Sequence, residues 1–119
     1  MFPLDVRVHQ EDERGNVYTL LRGFRYCGLE IPAGFESDGA SVPRFFWRAV
    51  FPPGDPAALM PAFVHDYVYR THPEGWTKAE ADDTFKLLLL DCGIPAVRAN
   101  LAWWGVRIFG GSAWKAGGK

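Results

Sequence analysis

The sequence predicts an α+β fold, a small antiparallel sheet at the N-terminus followed by three helices at the C-terminus. Residues 6–8, 17–21, 24–26 and 29–31 are short runs of alternating or β-branched and aromatic character set between turn residues, which is how strands read. From residue 56 onward the apolar residues instead recur at helical spacing over runs of a dozen or more, which is how amphipathic helices read. With 119 residues, 48% hydrophobic and 23% charged, the chain is large enough to bury a core of its own, and the expectation is one domain over 1–119. Within it, 1–32 reads as β-rich, 33–55 as an ordered loop, 56–111 as helical and 112–119 as a tail.

Strands 6–8 and 17–21 flank an acidic segment containing Gly15 and Asn16 and read as a hairpin. Its charged tip, Glu11-Asp12-Glu13, reads as a solvated turn, with a cation site as the other option. Strands follow at 24–26 and 29–31, the last ended by Pro32. Residues 32–43 are dense in turn formers but interleaved with single apolar anchors, as in a packed loop rather than a linker. Asp38-Gly39 makes a tight turn there, and the Asp38 carboxylate and Ser41 hydroxyl are hard oxygen donors of the kind calcium or magnesium takes. The competing reading is an Asx-turn in which Asp38 binds its own backbone. Residues 44–51 form a bulky apolar cluster, read as a short core helix that Pro52 and Pro53 break.

The first long helix runs from 56 or 57 to about 71 with Asp55 as N-cap, or from 60 with Pro61 in its first position. Thr77 and Glu80 make a capping box, placing a second helix at 78–92 with Gly93 as its stop. Pro95 opens a third helix that carries Val97, Leu101, Trp104 and Ile108 to a stop at Gly110-Gly111. Beyond it the tail is expected to be loose apart from Trp114.

On the first helix His65 and Tyr69 stand one turn apart with Asp66 beside them. On the second, Asp82 shares the stripe of Phe85 and Leu89, the face expected toward the core. A buried carboxylate needs a partner, and His65 is the natural one. Imidazole can bind Asp82 through one ring nitrogen and take a proton from water at the other. A base with an orienting acid points to hydrolysis. Arg70, late in the first helix, suits an anionic substrate group or the helix dipole. Pro73 pushes His72 out of the helix, so it reads as a surface residue. His9 has no evident partner.

A net charge of −1 gives no global field that favours nucleic acid or acidic lipid. Cys27 and Cys92 make neither a disulfide framework nor a Cys-x-x-Cys metal pair and read as small buried residues in a reducing compartment. The N-terminus lacks a basic region followed by an apolar run, and no apolar stretch reaches membrane-spanning length. The expected location is therefore the cytoplasm of the producing cell.

The blocks Ile31-Pro-Ala-Gly-Phe-Glu-Ser-Asp-Gly-Ala-Ser-Val-Pro43, His65-Asp66-Tyr67-x-Tyr69-Arg70, Ala81-Asp82-x-x-Phe85 and Arg107-Ile-Phe-Gly110 resemble the domain-of-unknown-function family 1353. The resemblance implies a phage or prophage setting, with the virion as a second location. The pattern His65-Asp66-x-x-Tyr69 with Asp82 on a facing helix also resembles the active-site helix pair of calcium-dependent secreted phospholipases. It implies that His65 activates water, Asp66 binds calcium, Asp82 orients His65 and Tyr69 donates its hydroxyl to Asp82, while calcium polarises the ester carbonyl. The chain departs from that pattern in lacking the flanking cysteines and a recognisable glycine-rich calcium loop, a place Asp38 takes only if it comes within reach of Asp66. The leading expectation is thus a metal-assisted hydrolase of a lipid or cell-envelope ester or amide, with Arg70 and Ser41 on the substrate. The alternative is a non-enzymatic phage accessory or virion protein, bound to a phage or host protein, whose His, Asp and Tyr residues form a buried structural network. A third reading is a binding module presenting Trp103, Trp104 and Trp114.

Overall fold

Strands precede helices in the computed structural model, which describes residues 6–11, 15–26, 28–37 and 59–117, and the fold is α+β as the sequence predicts. The chain forms two compact units, Met1–Asp38 and Gly39–Lys119.

In the first unit β1 (Val6–Glu11) and β2 (Gly15–Leu20) form the hairpin, antiparallel with Val6 opposite Leu20 and Glu11 opposite Gly15. A separate ladder joins β3 (Phe24–Tyr26) to β4 (Leu29–Ile31), with Phe24 opposite Ile31. Along β4 the alternation holds, since Leu29 and Ile31 are buried while Glu30 is exposed and pairs with Arg25. The expected 33–55 loop is corrected at its start. Glu36–Ser37 is a further strand, β5, antiparallel to β2. Leu20 N–H donates to the Phe35 carbonyl at 2.9 Å and Gly34 N–H to the Leu20 carbonyl at 2.6 Å, leading the chain back along β2. A two-residue strand is too short to show a period in sequence. Asp38, Ser41, the acidic residues Asp12 and Glu13, and the apolar cluster 44–51 lie outside the described residues.

The second unit holds α1 (Leu59–Thr71), α2 (Lys78–Asp91), α3 (Ala96–Phe109) and α4 (Gly111–Ala116). α1 packs on α2 and α4, and α3 packs on the same two helices. Pro61 falls in the first turn of α1, where the missing N–H has no intrahelical acceptor to lose. The α2 capping box is present, with Glu80 N–H on Thr77 Oγ1 at 3.1 Å and Thr77 N–H on Glu80 Oε1 at 3.3 Å. At its other end Gly93, at φ 91°, turns left-handed. Gly93 N–H then reaches the Leu90 carbonyl at 3.1 Å, and Ile94 N–H the Leu89 carbonyl at 3.0 Å. That is a Schellman motif, closed by the buried Ile94.

Ala81, Asp82, Phe85, Leu88 and Leu89 form the buried face of α2, so Leu87 and Leu90 of the leucine run point to solvent. On α3 the buried residues are the small ones, Ala99, Ala102 and Gly105, together with Val106. The larger Val97, Leu101, Trp104 and Ile108 are exposed; their spacing marks a helix without saying which side is covered.

Beyond the three expected helices the chain forms a short fourth one where a loose tail was expected. Gly110 keeps helical dihedrals, φ −82° and ψ −7°, and its carbonyl accepts from Trp114 N–H at 3.0 Å. The glycine pair therefore redirects the chain into α4 instead of ending regular structure. Among the described residues no helix is long and apolar enough to cross a membrane.

Candidate active site

Three helices bring their polar side chains to one buried point. From α1 come His65, Asp66 and Tyr69, all nearly inaccessible to solvent, and from α2 comes Asp82, wholly buried. His65 Nε2 lies 2.9 Å from Asp82 Oδ1, and the Tyr69 hydroxyl donates to the same oxygen at 2.5 Å. The other oxygen, Oδ2, accepts from Lys78 Nζ at 2.8 Å and from Arg107 on α3 at 3.2 Å. Lys78 Nζ also donates to the Val106 carbonyl at 3.0 Å. Asp82 thus receives donors from α1, α2 and α3. On the far side of the imidazole, Nδ1 lies 3.8 Å from Asp66 Oδ1, an ion-pair separation.

Ring contacts hold the donors in place. The His65 ring lies 4.1 Å from Tyr69 and 4.7 Å from Phe85, centroid to centroid. Tyr69 meets Trp114 of α4 edge-on at 5.4 Å. Trp114 in turn stacks at 3.7 Å on His72, whose Nε2 is 2.8 Å from the Trp114 carbonyl. His72 has φ 44°, a left-handed conformation that costs a non-glycine residue of the order of 1 kcal/mol. A Cβ built on Gly110 would sit 2.7 Å from the Tyr69 hydroxyl, so the α3–α4 junction approaches the phenol too closely for a side chain.

The electrostatics follow from this geometry. Burial alone pushes His65 down, but the flanking carboxylates Asp66 and Asp82 outweigh it and raise its pKa above the ordinary 6.5. For Asp82, burial pushes upward, yet hydrogen bonds from His65, Lys78 and Tyr69 overcome it and hold the carboxyl below its usual range. Burial and the Asp82 charge both push the Tyr69 phenol upward, keeping it a donor. Flanked by Asp66 at Nδ1 and Asp82 at Nε2, the ring is favoured as the imidazolium; when it is neutral, the bond to an ionised Asp82 keeps its proton on Nε2.

The structure therefore gathers His65, Asp66, Tyr69 and Asp82. Arg70 is exposed in the last turn of α1, one turn after Asp66 and about 140° round the helix from His65, a place that suits the helix dipole. Asp38 and Ser41 are outside the described residues. Sequence reasoning missed Lys78, although its place four residues before Asp82 is an ion-pair signal. It also missed Arg107, which no local spacing connects to Asp82, and it placed His72 on the surface where the structure stacks it on Trp114. The three tryptophans do not make one exposed cluster: Trp103 is half-buried and donates to Asp83 at 2.8 Å, Trp114 is half-buried and engaged with Tyr69 and His72, and Trp104 is exposed.

Residues 18–106 match the family described as "Protein of unknown function (DUF1353)". The chain belongs to this family. The DUF1353 match holds His65, Asp66, Tyr69, Lys78 and Asp82 and stops one residue short of Arg107. The chain is also similar to "Uncharacterized protein y4jT" of Sinorhizobium fredii (strain NBRC 101917 / NGR234), 30% identical over 80 residues that cover 67% of this chain and 23% of that relative. This DUF1353 chain thus spans less than a quarter of that relative's length. No solved structure is significantly similar to it.

Proposed function

We propose that this domain is a hydrolase of a lipid or cell-envelope ester or amide, working in a phage or prophage setting, with His65 as its base. The observation that carries the reading is the His65–Asp82 pair at 2.9 Å with Tyr69 on the same carboxylate oxygen. In this reading His65 Nδ1 takes a proton from water as the oxygen attacks the carbonyl carbon, and the imidazolium returns the proton to the departing alcohol or amine. Asp82 keeps the ring oriented and offsets the imidazolium charge, while Lys78 and Arg107 keep Asp82 ionised. Tyr69 holds the carboxylate in place and transfers no proton.

Calcium is the cation proposed for Asp66, where it would polarise the substrate carbonyl. Asp66 offers one carboxylate, whereas calcium takes six to eight oxygens. Among the described residues no group of three or more His, Cys, Asp or Glu is placed to hold a metal, so the described donors do not make a calcium shell. The base chemistry above is independent of the metal.

The phage or prophage setting comes from the resemblance of the sequence blocks. A second reading, a non-enzymatic phage or virion component, is favoured by the four donors on a wholly buried Asp82, which suits a carboxylate that fixes helix packing. One experiment separates the two: hydrolysis of a panel of phospholipid and envelope esters by wild type and His65→Ala, with thermal melts of both, and calorimetric calcium titration of wild type and Asp66→Asn. Hydrolysis lost in a folded His65→Ala supports the enzyme. No hydrolysis by wild type, joined to loss of folding in His65→Ala, gives the site to the structural reading. Calcium binding that Asp66→Asn leaves unchanged removes Asp66 as its ligand.

A further inference from the structure

The cluster on Asp82 is shut off from water. His65, Tyr69 and Asp82 are 2, 2 and 0% exposed, so a reactant reaches them only after some part of the fold has moved. Among the described helices the cover is thinnest at α4, the one helix that buries none of its residues. Ser112, Lys115 and Ala116 are exposed and Trp114 is half-buried. This thin layer nevertheless runs along the whole of Tyr69. Gly110 faces the phenol hydroxyl, where an added Cβ would come within 2.7 Å of the oxygen, and Gly117 lies against the Tyr69 carbonyl so closely that a Cβ would overlap it. Between them Trp114 meets the ring edge-on at 5.4 Å. Beneath Tyr69 comes the pair itself, because its ring is 4.1 Å from that of His65 and its hydroxyl is on Asp82.

The attachments of α4 suit a moving part. No side chain caps its start, and at Gly111 an added Cβ would meet nothing within 4 Å, so the backbone turns in open space at a residue with a wide choice of dihedrals. What fastens the helix is Trp114, stacked on His72 at 3.7 Å while its carbonyl accepts from His72 Nε2 at 2.8 Å. His72 makes this contact from a left-handed backbone, φ 44°, so the closed state carries strain that opening can relieve.

We propose that α4 is a strap that swings on Gly110–Gly111, with Trp114 on His72 as its latch, and that its opening uncovers Tyr69 and so the Asp82 carboxylate beneath it. What the opening serves rests on the hydrolase reading, in which water and substrate have to enter; the opening itself is read without catalysis. The test is hydrogen exchange of the full chain followed by nuclear magnetic resonance, together with tetranitromethane nitration of Tyr69 mapped by mass spectrometry, for wild type, Trp114→Ala and Gly111→Ala.

In wild type the Trp114 and Gly117 amides, bonded to the Gly110 and Trp114 carbonyls, should exchange with one common opening constant that low urea leaves unchanged, while the protected amides of α2 exchange only on global unfolding. Trp114→Ala removes the latch and should raise both this opening and Tyr69 nitration by roughly tenfold. Gly111→Ala stiffens the joint and should lower both by roughly threefold; with wild type it carries the test even where Trp114→Ala fails to fold. An α4 that exchanges only together with α2 overturns the proposal, as does protection lost gradually from Gly117 backward, which is end fraying, or Tyr69 nitration unchanged in Gly111→Ala. Hydrolysis by a chain whose α4 never opens separately removes the strap and leaves the hydrolase; opening without hydrolysis leaves the strap and removes the hydrolase.

Discussion

Replacing Asp82 by Ala removes the acceptor on which four donors from three helices converge, and the burial of each donor sets the cost. The side chains of Lys78 and Arg107 are 19% and 36% exposed, so water can replace part of what they lose, and Lys78 keeps the Val106 carbonyl. His65 and Tyr69 are each 2% exposed and face the loss without that relief. Two buried donors deprived of their acceptor cost about 1–3 kcal/mol each. With the cavity left by the carboxylate, Asp82→Ala should destabilise by about 3–5 kcal/mol, in the range for a broken buried ion pair. Asp82→Asn keeps one oxygen for His65 and Tyr69 and turns an amide toward the two cations that reach water, so it should cost about 1–2 kcal/mol. Urea unfolding followed by far-UV circular dichroism, with the slope of each curve checked against wild type, measures both. Equal losses in the two variants, or a loss under about 1 kcal/mol for Asp82→Ala, would refute the assignment of the energy to the buried donors on Oδ1.

The remaining predictions use the same site. His65 is raised in the folded protein, so its stabilisation is complete below the unfolded value of 6.5 and is lost as pH rises through the raised native value; Asp82 is lowered, so its share is present above 3.8 and is lost as pH falls through the depressed one. Stability should therefore be highest between about pH 4 and 6.5, and urea midpoints across pH should show the alkaline decline flattened in His65→Gln. Gly110→Ala puts a methyl group against the Tyr69 hydroxyl and the Val106 carbonyl and should cost about 1–3 kcal/mol, with the tyrosine signals of the near-ultraviolet dichroism changed. Thr77→Ala removes half of the capping box and should lower stability by about 1 kcal/mol without altering any activity of the site.

The legible part of this site was the part written in local spacing. His65, Asp66 and Tyr69 share a helix, where the step from i to i+4 fixes which side chains meet. Asp82 stood out as an acid on the stripe of Phe85 and Leu89, and that anomaly named its need for a partner. The capping box and the Gly93 stop fixed the ends of α2 for the same reason, being short-range signals with a direct backbone cause. Arg107 reaches Asp82 from α3, a relation between helices that no periodicity records. The face of α3 was equally hidden, because Ala99, Ala102 and Gly105 are apolar enough to be covered while Val97 and Ile108 look the better core residues. α4 was missed because two adjacent glycines are the strongest stop a sequence offers, and here they turn the helix axis.

Trp114 lies 42 residues beyond His72, and with Gly117 placed where a Cβ would overlap the Tyr69 carbonyl, α4 closes on the first helix of its unit. A ribosome makes the chain in the opposite order of need. His65 and Tyr69 are synthesised early, Asp82 follows, and Arg107 and then Trp114 come after it, so a nascent chain carries the Asp82 carboxylate and His72 before the groups that hold them in the folded structure exist. The cluster is therefore complete only once its last turn is made, and a chain cut before Trp114 would contain both residues of the His65–Asp82 pair yet lack the aromatic wall that Tyr69 rests on.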